Sequence, residues 1–174
     1  MKVINLFGSS GSGKSTNAAG LAYELKTEGF KVEIITEYAK ELCILSSEHL
    51  LENQIWVFAN QYQKMKYLSE DLDFVITDSP LYLGVFYSLK YNFKFSSELN
   101  PLIEKVYNSF YNINIFLERH HDWDPYARVQ TATESDQDSK DLKKLLKENN
   151  INCKFICNEN NIIKSLKEYV VSCS

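Results

Sequence analysis

A glycine- and serine-rich run near residue 10 has the residue types and spacing that bind phosphate. Residues 8–15, GSSGSGKS, satisfy the pattern G-x(4)-GK-[ST] directly after an apolar segment. Glycines let successive backbone N–H groups converge on phosphate oxygens, the lysine can reach the β- and γ-phosphates, and the last hydroxyl can bind Mg²⁺. The alternative is a turn that only caps a helix. We expect ATP and Mg²⁺ as cofactors, bound by Gly8, Ser9, Gly11, Ser12, Gly13, Lys14, Ser15 and Thr16.

Two acidic residues follow apolar, strand-like runs, and the carboxyl ends of parallel strands are where ligand sites form. Asp78 follows FVIT and would reach Mg²⁺ together with Ser15 if its strand lies beside the first. Glu37 follows KVEIIT and could take a proton from an acceptor hydroxyl as a phosphoryl group moves. The alternatives are a helix N-cap for Asp78 and a first-turn helix acid for Glu37. We predict catalytic roles for both acids, with Lys14.

The segment from about 118 to 133 carries charge, aromatic residues and a proline without a helix or strand period. We expect an ordered loop there that acts as a lid over the reacting phosphate. Its arginines, Arg119 and Arg128, would stabilise the charge on the transferring group while closure excludes water. The alternative is ion pairing with nearby Asp and Glu residues at the surface. Both arginines are predicted to be catalytic.

Aromatic and amide side chains between residues 38 and 82 could recognise a planar acceptor. In a long predicted helix, Trp56 could stack on a ring and Gln61 could hydrogen-bond to its edge. Gln61 is the favoured contact because a buried amide needs partners. Most aromatic residues of this helix could equally belong to the core. The predicted substrate contacts are Tyr38, Trp56, Gln61 and Tyr82.

Motifs that the sequence lacks narrow the class of acceptor. There is no NKxD-like segment to read guanine, and the HRD and DFG elements of protein kinases are missing. Asp78 is followed by Ser79, at a position where motor-type ATPases commonly carry a glutamate that polarises water. Water is therefore not the favoured acceptor.

Composition sets the remaining bounds. The 174 residues are 44% hydrophobic with a net charge of −4, which is typical of one globular domain, here residues 1–174, and gives no basic surface for nucleic acid. The cysteines form no CxxC pair, and no segment is long enough to span a membrane. We expect a cytoplasmic protein that acts on a small molecule, without a nucleic-acid or membrane partner, and that could form a homodimer.

The elements that must position these residues alternate along the chain. Strands are predicted at 2–7, 31–36, 72–77, 112–117 and 152–157. Helices are predicted at 14–28, 38–45, 48–70, 82–90 and 134–148, and from residues 96 and 162 onward. Alternating strands and helices imply right-handed crossovers and a sheet covered on both faces. We therefore predict an α/β fold of the P-loop NTPase type, a three-layer sandwich around a five-stranded, mainly parallel sheet, with a lid segment.

Four segments together resemble a known family of small P-loop proteins: GSSGSGKST, TEYAKEL, VITDSP and PYARVQT. That family includes the ribosylnicotinamide kinase domain of bifunctional NAD-salvage proteins, and related phage and bacterial proteins known as AAA-type ATPases or kinases. The resemblance covers roughly residues 2–150. It implies an ATP-dependent kinase or ATPase.

The layout is also similar to that of deoxynucleoside kinases. In those enzymes an acid after the second strand acts as base, a helix with W-x-F-x(2)-Q reads the nucleobase, and a lid supplies arginines. The resemblance implies that Glu37 is the base, that Gln61 lies near the ring, and that Arg119 and Arg128 belong to the lid. This chain departs from the pattern after the third strand, where Asp78-Ser79-Pro80 replaces acid-Arg-Ser.

These features favour ATP- and Mg²⁺-dependent phosphoryl transfer to a small acceptor, a nucleoside or nucleotide, including a ribosylnicotinamide-like one. One alternative is a nucleotide-binding ATPase switch that regulates a partner. Another is a kinase for a modified base within phage-type DNA, against which the acidic net charge counts.

Overall fold

A parallel sheet forms the centre of the computed structural model, which describes residues 1–68, 71–119, 124, 130–156 and 161–173. Its order is β2-β3-β1-β4-β5, and every pairing among these strands is parallel. The predicted five-stranded parallel sheet, with the third strand beside the first, is confirmed. The strands are β1 (Lys2–Phe7), β2 (Val32–Ile35), β3 (Phe74–Thr77), β4 (Tyr111–Leu117) and β5 (Lys154–Ile156).

Helices connect the strands. Within the described residues they are α1 (Lys14–Thr27), α2 (Tyr38–Ile44), α3 (Gln54–Lys66), α4 (Leu83–Lys90), α5 (Ser96–Tyr107), α6 (Ala132–Glu148) and α7 (Ile162–Ser172). A short 3₁₀ helix, Glu48–Glu52, precedes α3.

The prediction of one continuous helix over 48–70 is wrong. The chain breaks at Asn53, whose side chain accepts a hydrogen bond from the backbone N–H of Trp56 and so caps the start of α3. Residues 69 and 70 lie outside the described part of the chain. The helix predicted from 134 begins two residues earlier, because Thr131 and Glu134 form a capping box at its start.

Helices cover both faces of the sheet, as predicted. Side chains of β1 alternate between two cores: Ile4 and Leu6 pack with α1 and α7, whereas Val3 and Phe7 pack with the cluster that includes α3, α4 and α5. The predicted apolar face of α1 is buried on the first side, at Ala18, Leu21, Ala22 and Leu25. The sheet is therefore the middle layer of three.

The carboxyl ends of the strands bring the predicted site residues to one edge. β1 runs into Gly8, β3 ends one residue before Asp78, and β2 ends two residues before Glu37. In the pairing register, Asn5 of β1 lies beside Thr77 of β3, so the two strands leave the sheet close together. No helix in the described ranges is both long and apolar enough to cross a membrane.

Candidate active site

The loop between β1 and α1 has a conformation that requires its glycines. Gly8, Gly11 and Gly13 have φ angles of 147°, 75° and 82°, which are in the region that L-residues with side chains rarely adopt. A Cβ atom on Gly8 would lie 2.4 Å from the Ser12 hydroxyl oxygen and 2.6 Å from the Leu117 carbonyl oxygen. The chain therefore curls tightly against β4 before α1 begins at Lys14.

The ammonium group of Lys14 lies over this loop. Its Nζ donates to the carbonyl oxygens of Gly8 and Ser9, at 3.0 and 2.9 Å. A positive charge is thus held where backbone N–H groups and the N-terminus of α1 also converge. Such an arrangement can bind a chain of phosphate groups.

Ser15 and Asp78 meet at the base of the loop. The Ser15 hydroxyl donates a 2.6 Å hydrogen bond to Oδ2 of Asp78. Asp78 is only 2% exposed, and its second oxygen, Oδ1, has no hydrogen-bond partner among the described residues. Asp78 is not the N-cap of the next helix, which was the alternative role for it, because Tyr82 occupies the N-cap position of α4.

A buried carboxylate oxygen without a partner, next to a serine hydroxyl, fits Mg²⁺. Mg²⁺ is commonly held by one or two carboxylates together with water and substrate phosphates, so it does not need a full set of protein ligands. In the described ranges no group of three or more His, Cys, Asp or Glu side chains forms a metal cluster. Ser15 and Asp78 are the residues that could hold the ion.

Glu37 occupies the N-cap position of α2, but its side chain makes no capping hydrogen bond. Its carboxyl group lies in the cleft beside the loop, where desolvation raises its pKa above the ordinary value and the charge of Asp78 adds to the rise. The charges of Lys14 and, more weakly, Lys40 oppose this shift. Glu37 is therefore electrostatically coupled to both Lys14 and Asp78.

One cavity of about 340 Å³ joins these groups. Lys14, Ser15 and Glu37 line its polar end. Aromatic and aliphatic side chains line another part, including Val57, Phe58, Leu81, Tyr87 and Tyr91. The rings of Tyr87 and Tyr91 are stacked, 6.0 Å apart and 9° from parallel. The cavity thus has a charged end for phosphate and an apolar wall that could accept a flat ring.

Gln61 lines the same cavity from α3. The side chain is buried, and its Oε1 accepts a 3.1 Å hydrogen bond from the backbone N–H of Tyr38. Its Nε2 has no hydrogen-bond partner in the described part of the chain. A buried amide with open donors is costly unless a ligand or a water molecule supplies the acceptor.

The other predicted substrate contacts lie elsewhere. Trp56 is 48% exposed, and its indole N–H donates to the Tyr38 hydroxyl at 2.8 Å, outside the residues that line the cavity. Tyr82 is 2% exposed and packs against Tyr107. Burial and the neighbouring Glu104 raise the pKa of Tyr82 to about 12. Tyr82 therefore belongs to the core behind the cavity wall.

Of the two arginines predicted to belong to a lid, the structure describes only Arg119. Arg119 forms a salt bridge with Asp136 of α6, which matches the ion-pair alternative given by the sequence. Arg128 lies outside the described residues, as does most of the predicted lid. Two residues of that segment, Asp124 and Gln130, line the cavity.

Sequence reasoning did not identify several residues of the site. Lys40, Tyr87 and Tyr91 line the cavity, and Ser135 of α6 hydrogen-bonds to the phosphate-binding loop. The i, i+4 spacing of the two tyrosines on a helix was an available signal. No local pattern marks Ser135.

A parallel sheet of order 2-3-1-4-5, with a GxxxxGKS loop after its central strand and a buried acid after β3, defines a P-loop nucleotide-binding fold. Residues 3–160 match the AAA domain family AAA_28, and the chain belongs to that family. No curated protein sequence matches the chain.

Solved structures share this fold at low sequence identity. A thymidylate kinase from Ehrlichia chaffeensis has 16% identity and a TM-score of 0.56, with 99% of this chain and 97% of that chain covered. A deoxyadenosine kinase from M. mycoides with bound dATP has 18% identity and a TM-score of 0.56, with 99% and 98% covered. The same kinase with the products dCMP and dCDP has 17% identity and a TM-score of 0.54, with 98% and 97% covered.

Proposed function

We propose that the protein transfers the terminal phosphoryl group of ATP to a hydroxyl group of a nucleoside- or nucleotide-like small molecule. The observation that carries this proposal is that one cavity contains both the phosphate-binding loop and Glu37. Its polar end contains Lys14, Ser15 and Glu37, and its wall offers aromatic rings and the open amide of Gln61. A pocket that places ring-sized apolar surface beside both an acid and the phosphate-binding loop is suited to hold a second, ring-containing substrate next to the triphosphate.

In this proposal the loop between β1 and α1 binds the triphosphate. Its backbone N–H groups and Lys14 contact phosphate oxygens, while Ser15 and Asp78 would hold Mg²⁺. When bound, the ion neutralises charge on the phosphate groups. The lysine, now bonded to loop carbonyls, exchanges those partners for phosphate oxygens.

Glu37 acts on the acceptor. The acceptor oxygen forms a bond to the terminal phosphorus, the bond from that phosphorus to the bridging oxygen breaks, and ADP leaves with the bond's electrons. The hydroxyl proton passes to the Glu37 carboxylate. The raised pKa supports this role, because it makes the carboxylate a better proton acceptor than an ordinary surface acid.

Gln61 and the aromatic wall would recognise a planar base. The Nε2 group can donate to a ring nitrogen or carbonyl oxygen, and Phe58, Tyr87 and Tyr91 supply flat apolar surface. The kinases that share the fold act, by their names, on thymidylate and deoxyadenosine, which supports a nucleobase-containing acceptor. Ribosylnicotinamide, which also carries a flat ring on a ribose, is a candidate on the same grounds. Arg119 and Arg128 are proposed to contact the moving phosphoryl group when the lid closes.

The test is an acceptor panel assayed for ATP- and Mg²⁺-dependent ADP release. It contains the nucleosides, their monophosphates and ribosylnicotinamide, with product identity checked by mass spectrometry. We expect at least one of them to be phosphorylated. Release of ADP without any phosphorylated acceptor, above all if a protein partner stimulates it, would overturn the proposal in favour of an ATPase switch.

A matched pair of variants tests the base-reading role. Gln61→Leu should raise KM for the acceptor by about tenfold and leave KM for ATP nearly unchanged, because a buried hydrogen bond to the ring is lost. Gln63→Leu, at an exposed position two residues further along α3, is the control. Equal acceptor KM values for Gln61→Leu and the wild type would refute this contact.

A further inference from the structure

Ser135 connects α6 directly to the phosphate-binding loop. It is the fourth residue of that helix and is 0% exposed. Its Oγ lies 2.6 Å from the carbonyl oxygen of Ser10 and 3.0 Å from the hydroxyl oxygen of Ser9. A helix that begins more than 120 residues later in the chain therefore contacts the loop through the buried Ser135 side chain.

The Ser135 hydroxyl makes two contacts but has one hydrogen to donate. A hydroxyl group has one donor hydrogen and two acceptor lone pairs. The Ser10 carbonyl can only accept, so Ser135 donates to it across the shorter distance. The longer contact is then completed by the Ser9 hydroxyl donating to Ser135. Both loop residues are thus tied to α6.

Fixing the Ser10 carbonyl also fixes the next backbone donor. A trans peptide unit is planar, and its C=O and N–H groups point in opposite directions; no cis peptide occurs among the described residues. With the Ser10 carbonyl held toward α6, the N–H of Gly11 points away from that helix. Ser10 and Gly11 both line the cavity in which Lys14 lies.

We propose that Ser135 is a positioning residue for nucleotide binding, which holds the Ser10–Gly11 peptide so that the Gly11 N–H faces the phosphates. This inference rests on the proposed function only in its assignment of the loop to a nucleotide. Without the hydroxyl, this peptide can rotate and one of the converging donors is lost from the phosphate site. Preorganised donors bind phosphate better because they need no rearrangement on binding.

The surroundings of Ser135 make α6 a firm support. Asp138 of α6 pairs with Lys90 of α4 through both carboxylate oxygens, each 2.6 Å from Nζ. The capping box formed by Thr131 and Glu134 holds the first turn of the helix in place. The hydroxyl that contacts the loop is therefore anchored on a helix that is itself held by an ion pair and by its cap.

The test measures equilibrium binding of MgATP and MgADP by isothermal titration calorimetry for the wild type and Ser135→Ala. We expect Ser135→Ala to weaken both nucleotides by about tenfold, the loss expected for one to two buried hydrogen bonds. Ser139→Ala, one turn further along α6, is the matched control and should bind like the wild type. Binding needs no acceptor, so this outcome is independent of whether phosphoryl transfer is found.

A second measurement separates positioning from a general loss of structure. Thermal unfolding is recorded without ligand, and binding is measured well below the transition of each variant. Unchanged nucleotide affinity in Ser135→Ala would overturn the proposal. So would an equal loss of affinity for MgATP in Ser139→Ala, because it would show a nonspecific effect on the fold.

Discussion

The Ser15 hydroxyl and the Asp78 carboxylate are joined by a 2.6 Å hydrogen bond, although 63 residues separate them in the chain. The contact exists because β1 and β3 are neighbours in the sheet and end at the same edge. It leaves Oδ1 of Asp78 buried and without a partner in the described part of the protein. The hydroxyl and carboxylate that would hold Mg²⁺ therefore lie side by side at this edge of the sheet.

Asp78→Asn should abolish most of the Mg²⁺-dependent turnover. The amide keeps the size of the side chain but removes the charge that would hold the ion, so we expect kcat to fall by roughly 100-fold or more. Steady-state kinetics across a Mg²⁺ titration provides the measurement. Asp73→Asn is the control, because Asp73 is exposed just before β3 and its carboxylate accepts from the Lys31 N–H. Wild-type turnover in Asp78→Asn would remove Asp78 from the site.

The Glu37→Gln variant should lose catalytic turnover but still bind ATP. The amide cannot accept the acceptor's proton, so we expect kcat to drop by about 100-fold or more, whereas the Kd for MgATP should change little. Glu33→Gln serves as the control, since Glu33 is exposed on β2 and does not line the cavity. Undiminished kcat in Glu37→Gln would show that the carboxylate is not the base.

The pH dependence of the free energy of unfolding should reflect the raised pKa of Glu37. Above the ordinary value of 4.5, the unfolded chain releases this proton while the native state still holds it. The native state then binds more protons, so the stability contributed by this group falls as pH rises toward the native pKa. Glu37→Gln lacks this titration, and its stability relative to the wild type should increase with pH over that window.

Urea unfolding of both proteins at a series of pH values gives this comparison. Glu33→Gln again provides the reference for the loss of one negative charge. A stability difference between Glu37→Gln and the wild type that stays constant from pH 4.5 upward would contradict the raised pKa.

Gly8→Ala should damage both the fold and nucleotide binding. The added methyl group meets the Ser12 hydroxyl and the Leu117 carbonyl at less than 3 Å, and the backbone φ of 147° is unfavourable for alanine. We expect a loss of about 2–4 kcal/mol in the free energy of unfolding. Gly29→Ala has a similar backbone cost, at φ 94°, but no atom within 4 Å, and should lose only about 1–2 kcal/mol without weakening ATP binding. Equal effects of the two substitutions would argue against a tight loop.

Asp138→Ala should lower the free energy of unfolding by about 1–3 kcal/mol, because it removes both short contacts to Lys90. The Asp138 side chain is nearly buried, whereas Lys90 can partly hydrate after the loss, which limits the cost. Asp141→Ala, at an exposed position of α6 that accepts from Gln137, should change stability by less than about 0.5 kcal/mol. Urea unfolding at neutral pH distinguishes the two.

Local patterns in the sequence were sufficient to predict the phosphate-binding loop and the parallel sheet. The GxxxxGKS spacing specifies a turn that only glycine can make, and the alternation of apolar runs specifies parallel strands with their ends at one edge. Placing Asp78 next to Ser15 needed only the further expectation that the third strand lies beside the first. The sheet order confirms that expectation.

Contacts between distant parts of the chain were not predictable in this way. The spacing of Trp56 and Gln61 showed that both could lie on a helix, but not that the indole would turn outward to Tyr38 while the amide turned inward. Ser135 resembles any serine of a polar helix, because its significance comes from a loop 125 residues away. Its role becomes evident only from the way α6 packs against the loop in the folded protein.

The strands that lead to the cavity residues differ in how many neighbouring strands they pair with. β1 and β3 each have a neighbour on both sides, whereas β2, which leads to Glu37, pairs only with β3 in the described sheet. Opening β2 breaks one ladder of hydrogen bonds, but opening β1 breaks two, so backbone amides of β2 should exchange with solvent through smaller fluctuations. We therefore expect Glu37, which follows β2, to change position more readily than the loop that follows β1.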